Sequence, residues 1–317
     1  MASERPTADR TPTPRSDVCV VGAGVAGGIV ANELAREGYD VVVLDAGERF
    51  DPADRIEQME RAIRPDHEPT DVWNMGGPRD RYSASGELGS YALNERRVKG
   101  IGGTTLHWLG TTPRLHPRDF EMASRYGIAT DWPIGYDDLR PYYAAAEREM
   151  GVAGQDDAAP PPREEPYPLD PFPTTHSDGL FAAACDRLDV SVRRCPQARN
   201  SESYDGRSKC VGYGTCSPVC PSGAKYSGDV HVRKAEAAGA TVIDRAAVEA
   251  LEHDDTGETI TAARYATPDG TRHRQEARQF VVAAGGVETP RLLLLSRSRT
   301  HLDGLANSSG AVGRYFM

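Results

Sequence analysis

Lysine and long apolar runs are both scarce in this sequence. Four of its 317 residues are lysines, and acidic residues outnumber basic ones by 47 to 37, for a net charge of -10. Such a chain repels phosphates at long range, which disfavours a general nucleic-acid binder. No apolar run could span a bilayer, and residues 1–16 lack the apolar segment of an export signal. We therefore expect no transmembrane segment and a cytoplasmic location, with export or membrane association only through a partner subunit.

Cysteine is also sparse. Six cysteines in a chain of this length do not amount to a disulfide scaffold. Three of them fall between positions 210 and 220, and such grouping is typical of a metal or redox site.

The most regular stretch begins with the apolar run 18–21, which predicts a strand buried on both faces of a parallel sheet. Gly22, Gly24 and Gly27 follow it in the spacing G-x-G-x-x-G. In this pattern the first glycine permits a tight turn, the second lets the backbone approach a pyrophosphate, and the third lets helix and strand pack closely. A helix to about residue 37 should present its N-terminal amides to the phosphates.

A second strand is predicted over 41–44, and Asp45 stands at its end. A carboxylate there can accept hydrogen bonds from both hydroxyls of an adenosine ribose and would repel a 2'-phosphate. Three glycines alone also occur in ordinary loops. Because strand, glycines, helix, second strand and acid occur together, the sequence predicts a dinucleotide site.

A second glycine-rich stretch, 97–108, reads Arg-Val-Lys-Gly-Ile-Gly-Gly-Thr-Thr-Leu-His-Trp. Its backbone could press against a flat or anionic ligand, although a simple turn beside a buried tryptophan has the same composition. Further along, short strands are predicted over 241–243, 247–253, 260–265 and 279–282, with a helix beginning after 283. Helices are also predicted near 56–63 and 178–188.

The most discriminating stretch contains Cys210, Cys216 and Cys220 on a loop rich in glycine and proline. Three thiolates on such a loop can converge on an iron-sulfur cluster, often with proline after the last ligand. Structural zinc is one alternative, but it prefers four protein ligands in tighter pairs. A disulfide with one remaining thiol is the other.

These segments together resemble the glucose-methanol-choline (GMC) family of FAD-dependent oxidoreductases. The resemblance rests on the Gly-Gly-Thr loop, on the Trp-Pro-Ile segment 131–143 that leads into a helix through Met150, on the helix start at 283–295, and on the final Val-Gly-Arg segment, which runs to Met317. The pattern C-x5-C-x3-C-P-x-G-A-K is similar to that of gluconate, fructose and glucose dehydrogenase large subunits, in which three cysteines hold a [3Fe-4S] cluster.

The resemblance implies two sets of site residues. The order Thr-Leu-His-Trp is also similar to a pyranose oxidase motif whose histidine is bonded to FAD, so His107 is a candidate attachment point. The metal ligands implied are Cys210, Cys216 and Cys220. The FAD contacts implied are Gly22, Gly24, Ala26, Gly27, Asp45, Ala46, Gly102, Gly103, Thr104, Thr105, His107, Val248, Ala284, Gly285 and Thr289.

The fold implied is α/β, a Rossmann-like FAD-binding domain of GMC type with a β-meander and a partial substrate domain. We expect a flexible polar tail over 1–15 and an FAD-binding domain over 16–317, with insertions at about 48–95 and 151–230. The proline-rich segment 156–173 is expected to be an ordered crossing. In the family, the proton-abstracting histidine belongs to a C-terminal substrate domain that would lie beyond Met317. That domain is expected to be absent, so no catalytic residue is assigned.

The function implied is oxidation of a CH-OH group in a sugar, sugar acid or polyol. A base takes the hydroxyl proton while hydride passes to the flavin, and the cluster relays electrons to a non-oxygen acceptor such as a cytochrome or quinone-linked subunit. A small accessory subunit and a C-terminal half are further candidate partners. Three alternatives stay open: a non-catalytic FAD-binding half, an NAD-dependent dehydrogenase and a zinc-stabilised binding module.

Overall fold

A computed structural model describes residues 10–66, 72–76, 96–156 and 161–315. The chain divides into two compact units, one formed by 1–107 with 227–317 and the other by 108–226. The strands are β1 Ser16–Val21, β2 Val41–Leu44, β3 Thr241–Ile243, β4 Ala247–His253, β5 Ile260–Ala266 and β6 Arg272–Val282. The α-helices in these ranges are α1 Val25–Arg36, α2 Arg55–Ala62, α3 Met122–Tyr126, α4 Tyr136–Met150, α5 His176–Asp186, α6 Asp229–Ala237 and α7 Gly285–Leu295.

The first unit is built on a six-stranded sheet with the order β3-β2-β1-β6-β5-β4. Strand β1 runs parallel to β2 and β6, and β2 runs parallel to β3, while β4, β5 and the first half of β6 form an antiparallel meander. The Rossmann-like α/β fold with a meander is therefore confirmed.

The sheet is buried on both faces. Val18 and Val20 point to one face, where α1 and α6 cover them with Ala31 and Val232. Cys19 and Val21 point to the other face, in a cluster that includes Leu251 and Tyr265 of the meander and Leu292 of α7. This two-sided burial explains why β1 reads as an unbroken apolar run.

Two elements of this unit were not predicted in full. Helix α6 was missed because its sequence offers few apolar positions, and it is held by close packing against α1, where Gly28 lies beside Val232. Strand β6 begins at Arg272 rather than near 279. Its first half alternates exposed charged residues with buried Gln275 and Ala277. Because one of these buried residues is polar, the sequence does not show the alternation of apolar and polar residues that predicts a strand.

The N-terminal segment differs from the expected tail in its described part, 10–15. The guanidinium of Arg10 donates to the Asp244 carbonyl at 3.0 Å, and the Tyr265 hydroxyl donates to the Arg10 carbonyl at 2.6 Å. The Thr13 amide donates to Gln275 Oε1 at 2.9 Å. These contacts tie residues 10–15 to the sheet. Residues 1–9 of that expected tail lie outside the described residues.

The last part of the first unit follows α7. The Leu305 amide donates to the Leu293 carbonyl at 2.9 Å, and Leu305 is buried. The described residues stop at Tyr315, so Met317, which marks the predicted boundary of the FAD-binding domain, lies outside them together with Phe316. The expectation that the family's proton-abstracting histidine falls beyond Met317 therefore stays a prediction.

The second unit begins at Trp108, earlier than the insertion expected at 151–230. Within it, the backbone of 198–200 pairs with that of 224–226, with Arg199 opposite Lys225. Where it is described, the proline-rich crossing contacts the rest of this unit, since the Tyr136 hydroxyl donates to the Pro162 carbonyl at 2.7 Å and Leu169 is buried. Parts of the expected insertions, namely 67–71, 77–95 and 157–160, lie outside the described residues.

Candidate functional site

The first glycine loop depends on the absence of side chains at two of its positions. Gly22 has a φ of +103°, and a Cβ there would lie 2.6 Å from the Ala283 carbonyl oxygen. A Cβ on Gly27 would lie 1.9 Å from the Gly22 carbonyl oxygen. Apart from atoms of the adjoining backbone, no atom of the described residues lies within 4 Å of a Cβ placed on Gly24. The loop is thus closed by Gly22 and Gly27 and leaves space in front of Gly24.

Helix α1 starts directly at this space. Gly24 is its N-cap and provides no side-chain hydrogen bond to the first-turn amides. Ala26 in the same turn is exposed. Uncapped amides and the positive end of the helix dipole favour an anion such as a pyrophosphate.

Asp45 follows β2 and faces the glycine loop. Its carboxylate oxygens accept hydrogen bonds from the Ala23 and Gly47 amides, both at 2.7 Å. Burial raises the pKa of this half-buried carboxyl to about 6, although the two amide bonds oppose the increase. Each carboxylate oxygen has a second lone pair, so the group can still accept ribose hydroxyls. The neighbouring Ala46 is exposed.

The second glycine loop contacts the first. The Gly102 amide donates to the Ala23 carbonyl at 2.8 Å, and a Cβ on Gly103 would lie 3.2 Å from the Gly24 Cα. Gly102 has a φ of +107°, and a Cβ there would lie 3.0 Å from the Asp229 amide nitrogen. The two loops, predicted separately from the sequence, therefore form one surface with glycine backbone on both sides.

The hydroxyl residues of this loop have different surroundings. Thr105 is buried, and its hydroxyl donates to the Gly102 carbonyl at 2.6 Å and accepts from the Gly228 amide at 2.8 Å. Thr104 is exposed, and half-buried His107 follows at the end of a short 3-10 helix over Gly103–Leu106. Thr105 thus braces the loop from within the protein, while Thr104 lies on its accessible side.

Sequence reasoning missed a third segment of this site, at the start of α6. A Cβ on Gly228 would lie 2.8 Å from the Val25 amide nitrogen and from the Gly24 carbonyl carbon. The buried carboxylate of Asp229 pairs with Arg55 at 3.1 Å and with Arg233 at 2.5 Å. The only signal in the sequence was the run Ser-Gly-Asp, which is a typical helix start.

The remaining predicted residues belong to α7 and the turn before it, and to strand β4 of the meander. The Ala283 amide donates to the Val21 carbonyl at 2.8 Å, which places Ala284 and Gly285, at the start of α7, next to the first loop. Thr289 lies further along α7. Val248 pairs with Tyr265 in the meander, two residues after Ala246, whose amide donates to the Asp45 carbonyl at 2.7 Å.

The three grouped cysteines lie in the second unit and line one small cavity that is partly open to solvent. The other lining residues are Arg199, Gly212, Tyr213, Gly214, Thr215, Pro221 and Ser222. All six cysteines of the chain are free thiols, and Cys195, which does not line the cavity, is exposed. Cys210, Cys216 and Cys220 therefore line the same cavity with no disulfide between them, and their convergence on one cluster stays a prediction.

Two of the three sulfurs in this cavity, those of Cys216 and Cys220, have positive groups nearby. Arg199 Nη1 donates to Cys216 Sγ at 3.6 Å. Burial works to raise the pKa of the Cys220 thiol, but the Lys225 amide, the Ser222 hydroxyl and the charge on Lys225 outweigh it and hold that pKa below its usual value. The surroundings of Cys220 therefore favour its thiolate, which is the form that binds metals.

Two observations bear on a metal here. The cavity lining includes two buried polar atoms, Arg199 Nε and Thr215 Oγ1, that make no hydrogen bond within the described part of the chain. Donors of this kind fit the sulfides of a cluster, because hydrogen bonds to cluster sulfurs are a usual feature of such sites. Across the ranges that the structure covers, however, no three or more His, Cys, Asp or Glu side chains are grouped closely enough to hold a single metal ion.

Comparison with known families decides the classification. Residues 82–314 match the sequence profile described as GMC oxidoreductase, and residues 20–50 match an NAD(P)-binding Rossmann-like domain. The chain belongs to the GMC oxidoreductase family. Membership supports FAD as the cofactor, and the paired glycine loops and Asp45 fit that group.

This GMC chain is 39% identical over 96% of its length to the fructose dehydrogenase large subunit of Gluconobacter japonicus. It is 31% identical over 97% of its length to 2-methyl-1,2-propanediol dehydrogenase of Mycolicibacterium austroafricanum. It spans 58% and 55% of these two relatives, respectively.

A solved structure of formate oxidase from Aspergillus oryzae RIB40 has a similar fold, with a TM-score of 0.55 at 19% identity over 90% of this chain and 48% of that chain. Among the residues described, no helix combines the length and apolar character needed to cross a membrane.

Proposed function

We propose that this GMC chain serves an FAD-dependent dehydrogenase that oxidises a CH-OH group of a sugar, sugar acid or polyol and delivers the electrons to an acceptor other than oxygen. The observation that carries the proposal is the cavity lined by Cys210, Cys216 and Cys220. Its support is the 39% identity to a protein named as a fructose dehydrogenase large subunit. An NAD-dependent dehydrogenase would have no use for such a cavity.

The first unit would hold FAD. The α1 amides would face the pyrophosphate, Asp45 would accept the ribose hydroxyls, and the Gly102 and Gly103 backbone would lie against the cofactor. Bound FAD would supply the acceptor for the substrate hydride. What the chain itself contributes is the orientation of that cofactor and the exclusion of side chains from the space in front of Gly24.

The second unit would hold a [3Fe-4S] cluster through its three thiolates. The chemistry that such a cluster would supply is one-electron transfer towards an acceptor such as a cytochrome or a quinone-linked subunit. The name of the Gluconobacter relative, a large subunit, also favours a second candidate function, in which this chain binds FAD but turns over substrate only with a partner chain.

Anaerobic purification followed by absorption and EPR spectroscopy, with iron, sulfide and zinc analysis, tests the proposal. We expect flavin absorption bands, iron and labile sulfide. Assays with fructose, glucose, gluconate and simple alcohols, using an artificial electron acceptor, then separate the two candidates by turnover with and without a partner chain. Protein that contains zinc but no iron, or no flavin, would contradict the proposal. Release of all the flavin on acid precipitation of the same preparation would rule out a bond to His107, because only covalently attached flavin stays with the pellet.

A further inference from the structure

Arg199 has two ties to the cysteine cavity. Its half-buried guanidinium lies with Cζ 4.2 Å from the ring centroid of Phe172, and Nη1 donates to Cys216 Sγ at 3.6 Å. Its buried Nε makes no hydrogen bond to any described residue. Stacking on an aromatic ring holds the guanidinium plane, so one donor rests on the thiol sulfur and a second is available at the cavity wall.

A second cation, Lys225, contacts the same cysteine. Lys225 is the antiparallel partner of Arg199, and residues opposite each other in such a pair have neighbouring side chains. The Lys225 ammonium is buried and donates to the Cys216 carbonyl at 2.6 Å and to the Trp108 carbonyl at 2.8 Å. Arg199 therefore contacts the sulfur of Cys216 while Lys225 anchors its backbone.

We propose that Arg199 is a positioning residue that raises the reduction potential of the iron-sulfur cluster at Cys210, Cys216 and Cys220. The inference rests on the proposed function, because it requires that cluster. One-electron reduction adds a negative charge to the cluster and breaks no bond. A positive charge and a hydrogen bond on a ligand sulfur stabilise the more negative, reduced form, and they do so strongly where solvent is partly excluded.

The test is a redox titration of the anaerobically purified full chain, followed by EPR. Arg199→Gln removes the positive charge and the guanidinium fork and keeps only a shorter, neutral amide. At the solution potential where half of the wild-type cluster is reduced, we expect the ratio of reduced to oxidised cluster in this variant to fall about tenfold, which is a shift of about 59 mV for one electron. The matched control is Arg118→Gln, which removes an exposed arginine from the same unit and should leave the potential unchanged.

The outcomes separate the inference from the proposed function. Wild-type protein without an iron signal would overturn the cluster itself. A wild-type cluster with an unchanged potential in Arg199→Gln would overturn the role of Arg199 and leave the cluster standing. If Arg199→Gln takes up no iron, Arg199→Lys carries the test, because lysine keeps the charge but not the planar fork. We expect it to shift the ratio in the same direction by less than tenfold, and a wild-type ratio would overturn the proposal.

Discussion

Asp45 has two tasks at the scale of single residues. Its carboxylate holds the Ala23 and Gly47 amides, and it is also the proposed acceptor for ribose hydroxyls. Asparagine has only one acceptor oxygen, so Asp45→Asn must turn an NH2 group towards one of these amides. We expect FAD affinity to fall by roughly 1.5–3 kcal/mol, as for a lost hydrogen bond to a charged group. Titration against Glu37→Gln, which removes an exposed charge near the end of α1, measures the difference, and equal affinities would refute the role of Asp45.

The raised pKa of Asp45 gives a pH dependence. Its pKa in the folded protein is about 6 against an ordinary value of 3.8, and the groups that shift it besides burial include Asp244, which raises it, and Lys99, which lowers it. Because the folded state binds this proton more tightly than the unfolded chain does, the contribution of Asp45 to stability falls as pH rises from about 4 to about 6. Ionised Asp45 is the better acceptor, so FAD affinity should weaken below pH 6. In Asp45→Asn this step should disappear.

The predicted cluster site requires each of the three cavity cysteines as a ligand. Changing Cys210, Cys216 or Cys220 to serine replaces a soft thiolate by a hard hydroxyl, so each change should abolish the cluster EPR signal. The control is Cys195→Ser, at an exposed position away from the cavity. Cys19 is unsuitable as a control because it is fully buried in the sheet core, where burial raises its pKa to about 12. A full signal in any of the three cavity variants would remove that residue from the ligand set.

At the scale of elements, the start of α1 separates folding from cofactor binding. Gly27→Ala would place a methyl group 1.9 Å from the Gly22 carbonyl oxygen, so we expect it to displace the helix and lower the melting temperature. The methyl group of Gly24→Ala meets no described atom within 4 Å apart from the adjoining backbone. We expect it to leave the melting temperature of the FAD-free protein unchanged and to reduce FAD binding, since the methyl group enters the space intended for the pyrophosphate. Normal FAD binding by Gly24→Ala would place the cofactor elsewhere.

Helix α4 carries the most deeply buried ion cluster described in the second unit. Glu147 accepts hydrogen bonds from Arg114 at 2.8 Å and from Arg163 at 2.7 Å, and all three side chains are at most 10% exposed. Burial works to raise the pKa of Glu147, but the bonds from the two arginines outweigh it and lower that pKa.

Glu147→Gln would leave buried Arg114 without its carboxylate partner and Arg163 with only the exposed Asp156, at 3.9 Å. We expect it to reduce the free energy of unfolding by about 3–5 kcal/mol. The control Glu165→Gln, at an exposed pair with Arg148, should cost at most about 1 kcal/mol. Because the pKa of Glu147 is lowered, its stabilisation is present above pH 4.5 and is lost as pH falls through its folded pKa. Denaturant titrations at pH 7 and at pH 4 measure both effects, and equal losses in the two variants would contradict this account.

At the scale of the whole molecule, the two proposed cofactor sites are in different units. The FAD residues belong to 1–107 with 227–317, and the cysteine cavity belongs to 108–226. We therefore expect oxidative removal of iron with a chelator to leave flavin binding intact, as measured by iron content and flavin absorbance after gel filtration. Stoichiometric loss of flavin with iron would show that the two sites depend on each other.

Local patterns in the sequence were enough to predict the nucleotide-binding unit and the grouping of the cysteines. The apolar run before Gly22, the glycine spacing and Asp45 obey rules that act over a few residues, and strand β2 has the predicted bounds. The tertiary structure alone decided what completes each site. Gly228 and Thr105, joined by a hydrogen bond, are 123 positions apart. Arg199 contacts Cys216, and the segment of Arg199 pairs with the segment that contains Lys225, whose ammonium donates to the Cys216 carbonyl. Contacts of this kind depend on how distant segments pack, and no spacing along the chain encodes them.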